Sequence, residues 1–444
     1  MNEELQDELG QAHLASAKDF VEYCNETHAA TVADELKDLD TIQVRHLLLA
    51  LDPRLRAEIF GHLGEEMQVE LAESFRSKDL AQTLQFMSPD ERADFYQALP
   101  QDLQEIILPL LARAQREDLL RLHSYEDGTA GAVMTSDYAT LSPQLTAREA
   151  IEQLRQEAPD RETIYNSYVI DEERKLIGVV GLRSLIVSPS FKKVADIMET
   201  EVISALVDES QEDVAKKIAK FDLLAIPVLD QEGHLLGIVT VDDVLDVAQE
   251  EATEDFHLMG SVQDVGMSLR EASAWLLVQK RLPWLLVLVL MNVFSGAGIA
   301  YFEDVIQATV ALVFFLPLLI DSGGNAGSQS ATLMVRALAT GDVTRSDWLS
   351  LLGREVLIAL AIGLMMALAV SLLGFYRGGM DVALVVSSTM ILVVLTGSLI
   401  GMSLPFLLSK FNFDPATASA PLVTSIADIA GVLIYFSIAT AWLH

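Results

Sequence analysis

The stretch that most limits what this chain can become is residues 420–443, APLVTSIADIAGVLIYFSIATAWL, an apolar run that carries one acid, Asp428. A bilayer's hydrocarbon core is about 30 Å thick and takes roughly 20 apolar residues in a helix, so this run is long enough to cross it. An ionised side chain inside such a helix costs at least about 2.5–3.5 kcal/mol, and it therefore faces a partner, a water-filled cavity or an ion path. Asp428 is read here as the residue that holds a cation in transit. The alternative is a protonated Asp bonded to a neighbouring helix.

The apolar residues crowd into the last third. After residue 275 there are 9 acids and 7 bases, which leaves 55 acids and 23 bases before it, so about −32 of the formal −34 lies in the first part. The pattern is an acidic, soluble region joined to a near-neutral membrane region. Acidic surface of this density argues against nucleic acid or anionic lipid as its partner and suits cations or basic proteins, although plain solubility also accounts for it. Cys24 is the only cysteine, which excludes a disulfide framework and a thiolate metal cluster. The start, MNEELQDELGQ, lacks the basic-then-apolar layout of a cleaved signal, so a later span is expected to direct insertion.

Residues 1–130 read as helical, with Leu and Ile recurring at three and four positions and with Pro53, Pro89 and Pro100 near helix starts. Pro53, Ala57, Glu58 and Phe60 match Pro89, Ala93, Asp94 and Tyr96 at a spacing of 36. Stacked helical hairpins, a solenoid-like domain, fit this spacing, and so does a plain bundle. Asp90 and Asp94, at i and i+4, share one helix face, where solvated charge is the simplest account.

A second duplication follows. VIDEERKLIGVVGLRSL (169–185) lines up with VLDQEGHLLGIVTVDDV (228–244) at a constant offset of 59, each copy reading strand, turn, strand, helix. With helical stretches 146–157 and 210–220 in front, the region forms two equivalent α/β modules. It resembles the cystathionine-β-synthase (CBS) domain pair, a regulatory module that often binds adenine nucleotides. The family's nucleotide-contacting Thr and Asp are matched by Thr240 and Asp243 in the second copy, but by Gly181 and Ser184 in the first. ATP at this pair is therefore an open expectation.

From Val241 a helix is expected to run to about Trp275, or to break near Gly260. Asp243, Asp246, Glu250 and Glu254, spaced 3, 4 and 4, would stack along one face, a repulsion that a divalent cation relieves and that solvent can also absorb. Five spans are expected near 282–302, 308–334, 350–374, 382–408 and 420–443. Lys280, Arg281, Arg336, Arg345, Arg354 and Lys410 then fall on one side and Arg377 on the other, which puts the amino-terminal region in the cytoplasm. The second span holds Pro317, Asp321 and SGGNAGSQSAT, read as an irregular break with a polar lining near the cytoplasmic mouth; helix packing through small residues explains the glycines well but Asp321, Asn325 and Gln329 less well.

The order of these parts, together with PLLIDSGGNAGSQSATLMVRALATGDV (317–343) and PLVTSIADIAGVLIYF (421–436), resembles the MgtE family of magnesium channels and transporters over the whole chain. The resemblance implies a multidomain fold: a helical, solenoid-like domain (1–130), CBS modules at 131–195 and 196–250, a connecting helix (251–278) and a five-helix α-helical transmembrane domain (279–444). It implies a homodimer in the inner membrane that imports Mg²⁺, with Asp428 of each subunit in the pore and Asp321 and Asn325 in its surroundings. It also implies that cytosolic Mg²⁺ closes the pore by binding at Glu58, Asp90, Asp94, Glu212, Asp222, Asp243, Asp246, Glu251, Glu254 and Asp255. Mg²⁺ is thus both substrate and regulator, and no enzymatic centre is expected: the last third holds no histidine apart from the terminal His444. A CBS-regulated transporter of Co²⁺ or Mn²⁺ is the competing reading.

Overall fold

The computed structural model describes residues 17–158, 161–263, 272–411 and 413–443. The chain divides into two compact units, up to Gln249 and from Glu250 onward.

The first unit opens with short helices: α1 (Ala17–Glu26), α2 (Ala29–Leu36), α3 (Thr41–Leu48), α4 (Pro53–Gly61), α5 (Glu65–Ser74), α6 (Ser77–Leu84), α7 (Pro89–Ala98), α8 (Gln101–Ile107) and α9 (Arg113–Leu122). Packing skips one helix each time, α2 on α4, α3 on α5, α4 on α6 and α5 on α7, which is the stacked-hairpin arrangement, one of the two that the 36-residue spacing fits. Both copies begin with proline in the first turn, where its missing N–H costs nothing, and Asp52 caps α4 by accepting from the N–H groups of Arg54 and Leu55. Phe60 of the first copy meets Phe95 of the second edge-on at 5.1 Å inside the shared core.

The two modules that follow are alike. The first comprises β1 (Tyr138–Leu141), α10 (Ala147–Glu157), β2 (Thr163–Ile170), β3 (Leu176–Gly181) and α11 (Leu182–Val187); the second comprises β4 (Ala205–Leu206), α12 (Gln211–Phe221), β5 (Ala225–Leu229) and β6 (Leu235–Thr240). In each, the first strand runs parallel to the second and the second antiparallel to the third. The duplication extends to the hairpin turns. Asp171 accepts from the N–H groups of Glu173 and Lys175, and Asp230 does so from Glu232 and His234, 59 residues on. The left-handed residue of each turn is Arg174 (φ 66°) in one and Gly233 (φ 88°) in the other.

Helix α13 (Val241–Met259) ends well short of Trp275. Gly260 follows, and Ser261 takes a left-handed φ of 57°, so the connecting helix expected over 251–278 is not one continuous helix. The part of it at 264–271 lies outside the described residues.

In the second unit come α14 (Ala274–Tyr301), α15 (Glu303–Ala308), α16 (Ala311–Ala339), α17 (Trp348–Lys410) and α18 (Ala420–Leu443). At 1.5 Å per residue the 63 residues of α17 would extend about 95 Å, three times a hydrocarbon core. They do not, because Gly379 leaves the helical region (φ 77°, ψ −165°). The two arms fold back on each other, with Gly374 against the Ala383 backbone and Gly363 against Ile391. The spans expected at 350–374 and 382–408 are these arms, and the loop expected between them shrinks to a reversal at one glycine, which can take a positive φ without steric cost.

The irregular backbone expected in the second span is absent, since α16 is helical through SGGNAGSQSAT. Its glycines serve packing. Gly323 lies on Val393 and Gly397, Gly327 on Gly397 and Gly401, and Gly324 on Thr424, so a Cβ at any of them would collide. Small residues let backbones approach closely where no hydrophobic force draws helices together.

Candidate metal sites

In the first unit, two elements that are distant in sequence bring acids together. Asp90 sits in the first turn of α7, and Asp243 in the first turn of α13 directly after β6. Asp90 is 9% exposed, and its Oδ1 has no hydrogen-bond partner. Burial, and then the charge of Glu91, lifts its carboxyl to about 6. Asp243 is lifted to about 7, first by burial and then by Asp90, against the opposing hydrogen bond donated by the Thr240 hydroxyl. These two residues are thus within repelling distance of each other.

Three further acids join them that sequence reasoning missed. Glu162 is exposed by surface area and lines a cavity together with Glu91; desolvation there and then Asp90, Asp243, Asp242 and Glu91 push it to about 7. Glu91 is raised as well, by desolvation first and by Asp243 and Asp242 after. A lone acid in a loop or at a helix start carries no periodic signal, and only the fold brings these five together. Like charges held out of water favour protonation, and a hard dication bound by oxygen removes that cost. An open cavity of about 960 Å³ adjoins the group, lined by Glu58, Glu91 and Glu162 among others.

The remaining acids that the resemblance implies as regulatory ligands are scattered. Glu212 pairs with Lys216 at 2.7 Å on its own helix. Asp222 is exposed in the left-handed position that closes α12 (φ 51°), and Asp94 and Asp246 are exposed. Glu251, Glu254 and Asp255 lie on the last turns of α13, in the second unit. A separate grouping of Asp230, Glu232 and His234 belongs to the β5–β6 turn, where Asp230 is engaged in holding the turn itself.

In the second unit Asp428 lies on α18, half-buried, with Oδ1 removed from solvent and without a partner. Across from it, α16 crosses α18 closely: Gly324 meets Thr424, Ile320 meets Gly431, and the Ser328 and Thr424 hydroxyls bond at 3.1 Å. That crossing places Asp321 within electrostatic reach of Asp428. The Asn325 side-chain amide donates to Asp321 Oδ2 at 2.9 Å. Asp321, Asn325 and Gln329 are all exposed and lie four residues apart, so one face of α16 is polar while its glycines face the other helices. A polar stripe of this kind is costly against lipid and suits water or a second subunit.

Family models match three parts of the chain: the MgtE intracellular N domain over residues 27–128, CBS domains over 130–188 and 194–250, and the MgtE divalent cation transporter region over 316–438. A magnesium transporter MgtE of Thermus thermophilus is 37% identical over 99% of this chain and 98% of its own length. The chain belongs to the MgtE family. MgtE transporters of Bacillus subtilis and Enterococcus faecalis are 33% and 38% identical, over 87% and 74% of this chain and 86% and 72% of their own lengths. The crystal structure of the soluble part of a magnesium transporter matches with a TM-score of 0.52 at 36% identity, covering 55% of this chain and 96% of that one. The cytosolic domain of the Mg²⁺ channel MgtE in complex with ATP matches with a TM-score of 0.51, also at 36% identity, covering 55% and 98%. As an MgtE protein, the chain is a transporter with a soluble amino-terminal part and apolar helices in its last third, not an enzyme.

Proposed function

We propose that this protein carries Mg²⁺ into the cell across the inner membrane as a homodimer, with Asp428 of each subunit at the ion path, and that cytosolic Mg²⁺ closes it. The observation that carries the pore assignment is the unpartnered, buried Oδ1 of Asp428 in an apolar helix, set against the polar face of Asp321 and Asn325. Mg²⁺ holds its waters tightly and prefers octahedral oxygen ligation, so few carboxylates suffice to select the hydrated ion through outer-shell contacts. The exposed polar face of α16 would line water or the second subunit.

The sensing acids are those of the resemblance, Glu58, Asp90, Asp94, Glu212, Asp222, Asp243, Asp246, Glu251, Glu254 and Asp255. Among them the Asp90 and Asp243 pair has the strongest support. Its mutual repulsion, relieved by the ion, makes the bound arrangement depend on free Mg²⁺ by mass action. The curated relatives are named for magnesium, which favours it over Co²⁺ or Mn²⁺. ATP is a weaker candidate regulator here, because the first module offers Gly181 and Ser184 where the second has Thr240 and Asp243, and Thr240 is bonded to Asp243.

Mg²⁺ uptake into proteoliposomes, with internal Mg²⁺ varied, tests both halves. Uptake that internal Mg²⁺ shuts off is the expected result. No uptake refutes the transport reading, and uptake indifferent to internal Mg²⁺ refutes the sensor.

A further inference from the structure

Glu162 lies on neither helix that carries the paired acids, but on the entry to β2 in the first module, and its backbone is firmly placed there. Its N–H donates to the Asp137 carbonyl at 2.9 Å, and the next residue, Thr163, is in register with Tyr138 of β1. The segment just before Asp137 is laid against the second module: Thr135 and Ile238 exchange both backbone hydrogen bonds, at 2.8 and 3.0 Å, two residues ahead of Thr240. The Thr135 side chain also reaches the Asp90 carboxyl. A short run of backbone, 135–137, therefore connects the positions of Asp90, Asp243 and Glu162.

Asp90 supplies the reason to place an ion there. An acceptor oxygen withdrawn from water, with nothing donating to it, is rare in folded proteins and calls for an explanation. Asp243, Glu162 and Glu91 add negative charge around Asp90, and the nearby Arg92 guanidinium is shared with Asp118 and Asp137, so the carboxyls outnumber the cation and favour a bound metal ion. Of the additional acids, Glu91 is turned onto Gly61, where an added Cβ would lie 2.8 Å from its Oε1, and Asp242 is exposed at the start of α13. Glu162 lines the same cavity as Ser88 and Glu91, the two residues that flank Asp90, and as Asp137, to which its backbone is bonded.

Resting on the sensing role given above to Asp90 and Asp243, we infer that Glu162 is a third ligand of the same Mg²⁺, directly or through one of the ion's waters. The ion then joins the helical domain, the first module and the second module. No ligand is drawn from the first module in the set that the sequence implies, so this adds a segment to the sensor as well as a residue. Oxygen ligands and retained waters suit Mg²⁺.

The test uses the full-length protein in lipid nanodiscs, with limited proteolysis of its soluble part followed as Mg²⁺ is titrated. Glu162→Gln should raise the half-protecting Mg²⁺ concentration by roughly tenfold, as loss of a group that supports a metal does. Asp90→Asn and Asp243→Asn should do likewise, and Glu172→Gln, an exposed acid on the β2–β3 turn, should not. In EDTA, Glu162→Gln should unfold at the wild-type temperature or above it, because it removes one of several repelling charges. A lower metal-free unfolding temperature would mean that Glu162 is structural and would overturn the assignment. Wild-type protection in Glu162→Gln also overturns it. If Asp90→Asn and Asp243→Asn still shift, only Glu162 is lost; if they too match wild type, the sensing reading falls with it.

Discussion

The two units place acids under opposite conditions. In the soluble unit Asp90, Glu91, Glu162, Asp242 and Asp243 gather at one place, while dozens of other acids stand in water. In the second unit, Asp428 and its neighbour Asp321 stand among apolar helices. An acid on a wet surface costs nothing and carries no information, so only convergence and burial mark it. One acid within a bilayer is costly enough that its presence alone calls for a function. The acid of the apolar unit was therefore visible in the sequence as a single residue, and the acids of the soluble unit were not visible as a cluster.

That contrast can be broken most sharply at Asp428. Asp428→Ala should abolish Mg²⁺ uptake by proteoliposomes while the protein still inserts and assembles, and wild-type flux in this variant would remove the pore assignment. Next in size is the α13 stripe: neutralising Asp243, Asp246 and Glu254 together should raise the inhibitory internal Mg²⁺ by at least about tenfold, following the cost of losing groups that hold a metal. Inhibition at the wild-type concentration would leave the stripe merely solvated. Asp321→Asn keeps the shape and the Asn325 contact but drops a charge beside Asp428, so a several-fold fall in flux is expected, short of the Asp428→Ala loss; undiminished flux would detach Asp321 from the path.

Two smaller effects sharpen the comparison. Gly327→Val would push a branched side chain into Gly397 and Val423, and overpacking of this kind costs about 1–3 kcal/mol; an unchanged unfolding midpoint in detergent would contradict the close crossing of α16 with its neighbours. The last is a pH effect on metal-free protein. Asp90 and Asp243 hold protons up to about 6 and 7 in the folded state, against an ordinary 3.8. The folded state binds more protons in between, so stability should fall as pH rises from about 4 to about 7 and level off above. Thermal unfolding in EDTA should show that slope, and saturating Mg²⁺ should flatten it. A metal-free protein equally stable at both ends would mean the cluster does not exist.

Much of the fold was legible because it follows short-range rules. The offset of 59 places two modules whose strands, turn aspartates and left-handed turn residues coincide, and prolines mark the starts of α4 and α7. Thr146 and Glu149 form a capping box at the start of α10, a pattern readable from four letters. The misreadings occurred where a local signal competes with packing. Glycines at 323, 324 and 327 suggested broken backbone, but inside an apolar bundle the helix keeps its hydrogen bonds and the missing side chains admit neighbouring helices. α13 ends at Met259, as the expected break near Gly260 has it, but the left-handed residue is Ser261, a type that does not announce that conformation.

Sequence alone separated an acidic first part from an apolar, helical last third, because hydropathy, charge and repeat spacing sum over many residues and no single contact can reverse them. It also singled out Asp428, since an acid surrounded by apolar neighbours is improbable without a use. What the tertiary structure decided was which acids meet. Asp90, Glu162 and Asp243 lie more than 150 residues apart from first to last, and electrostatic repulsion depends on distance through space, which no count of letters contains.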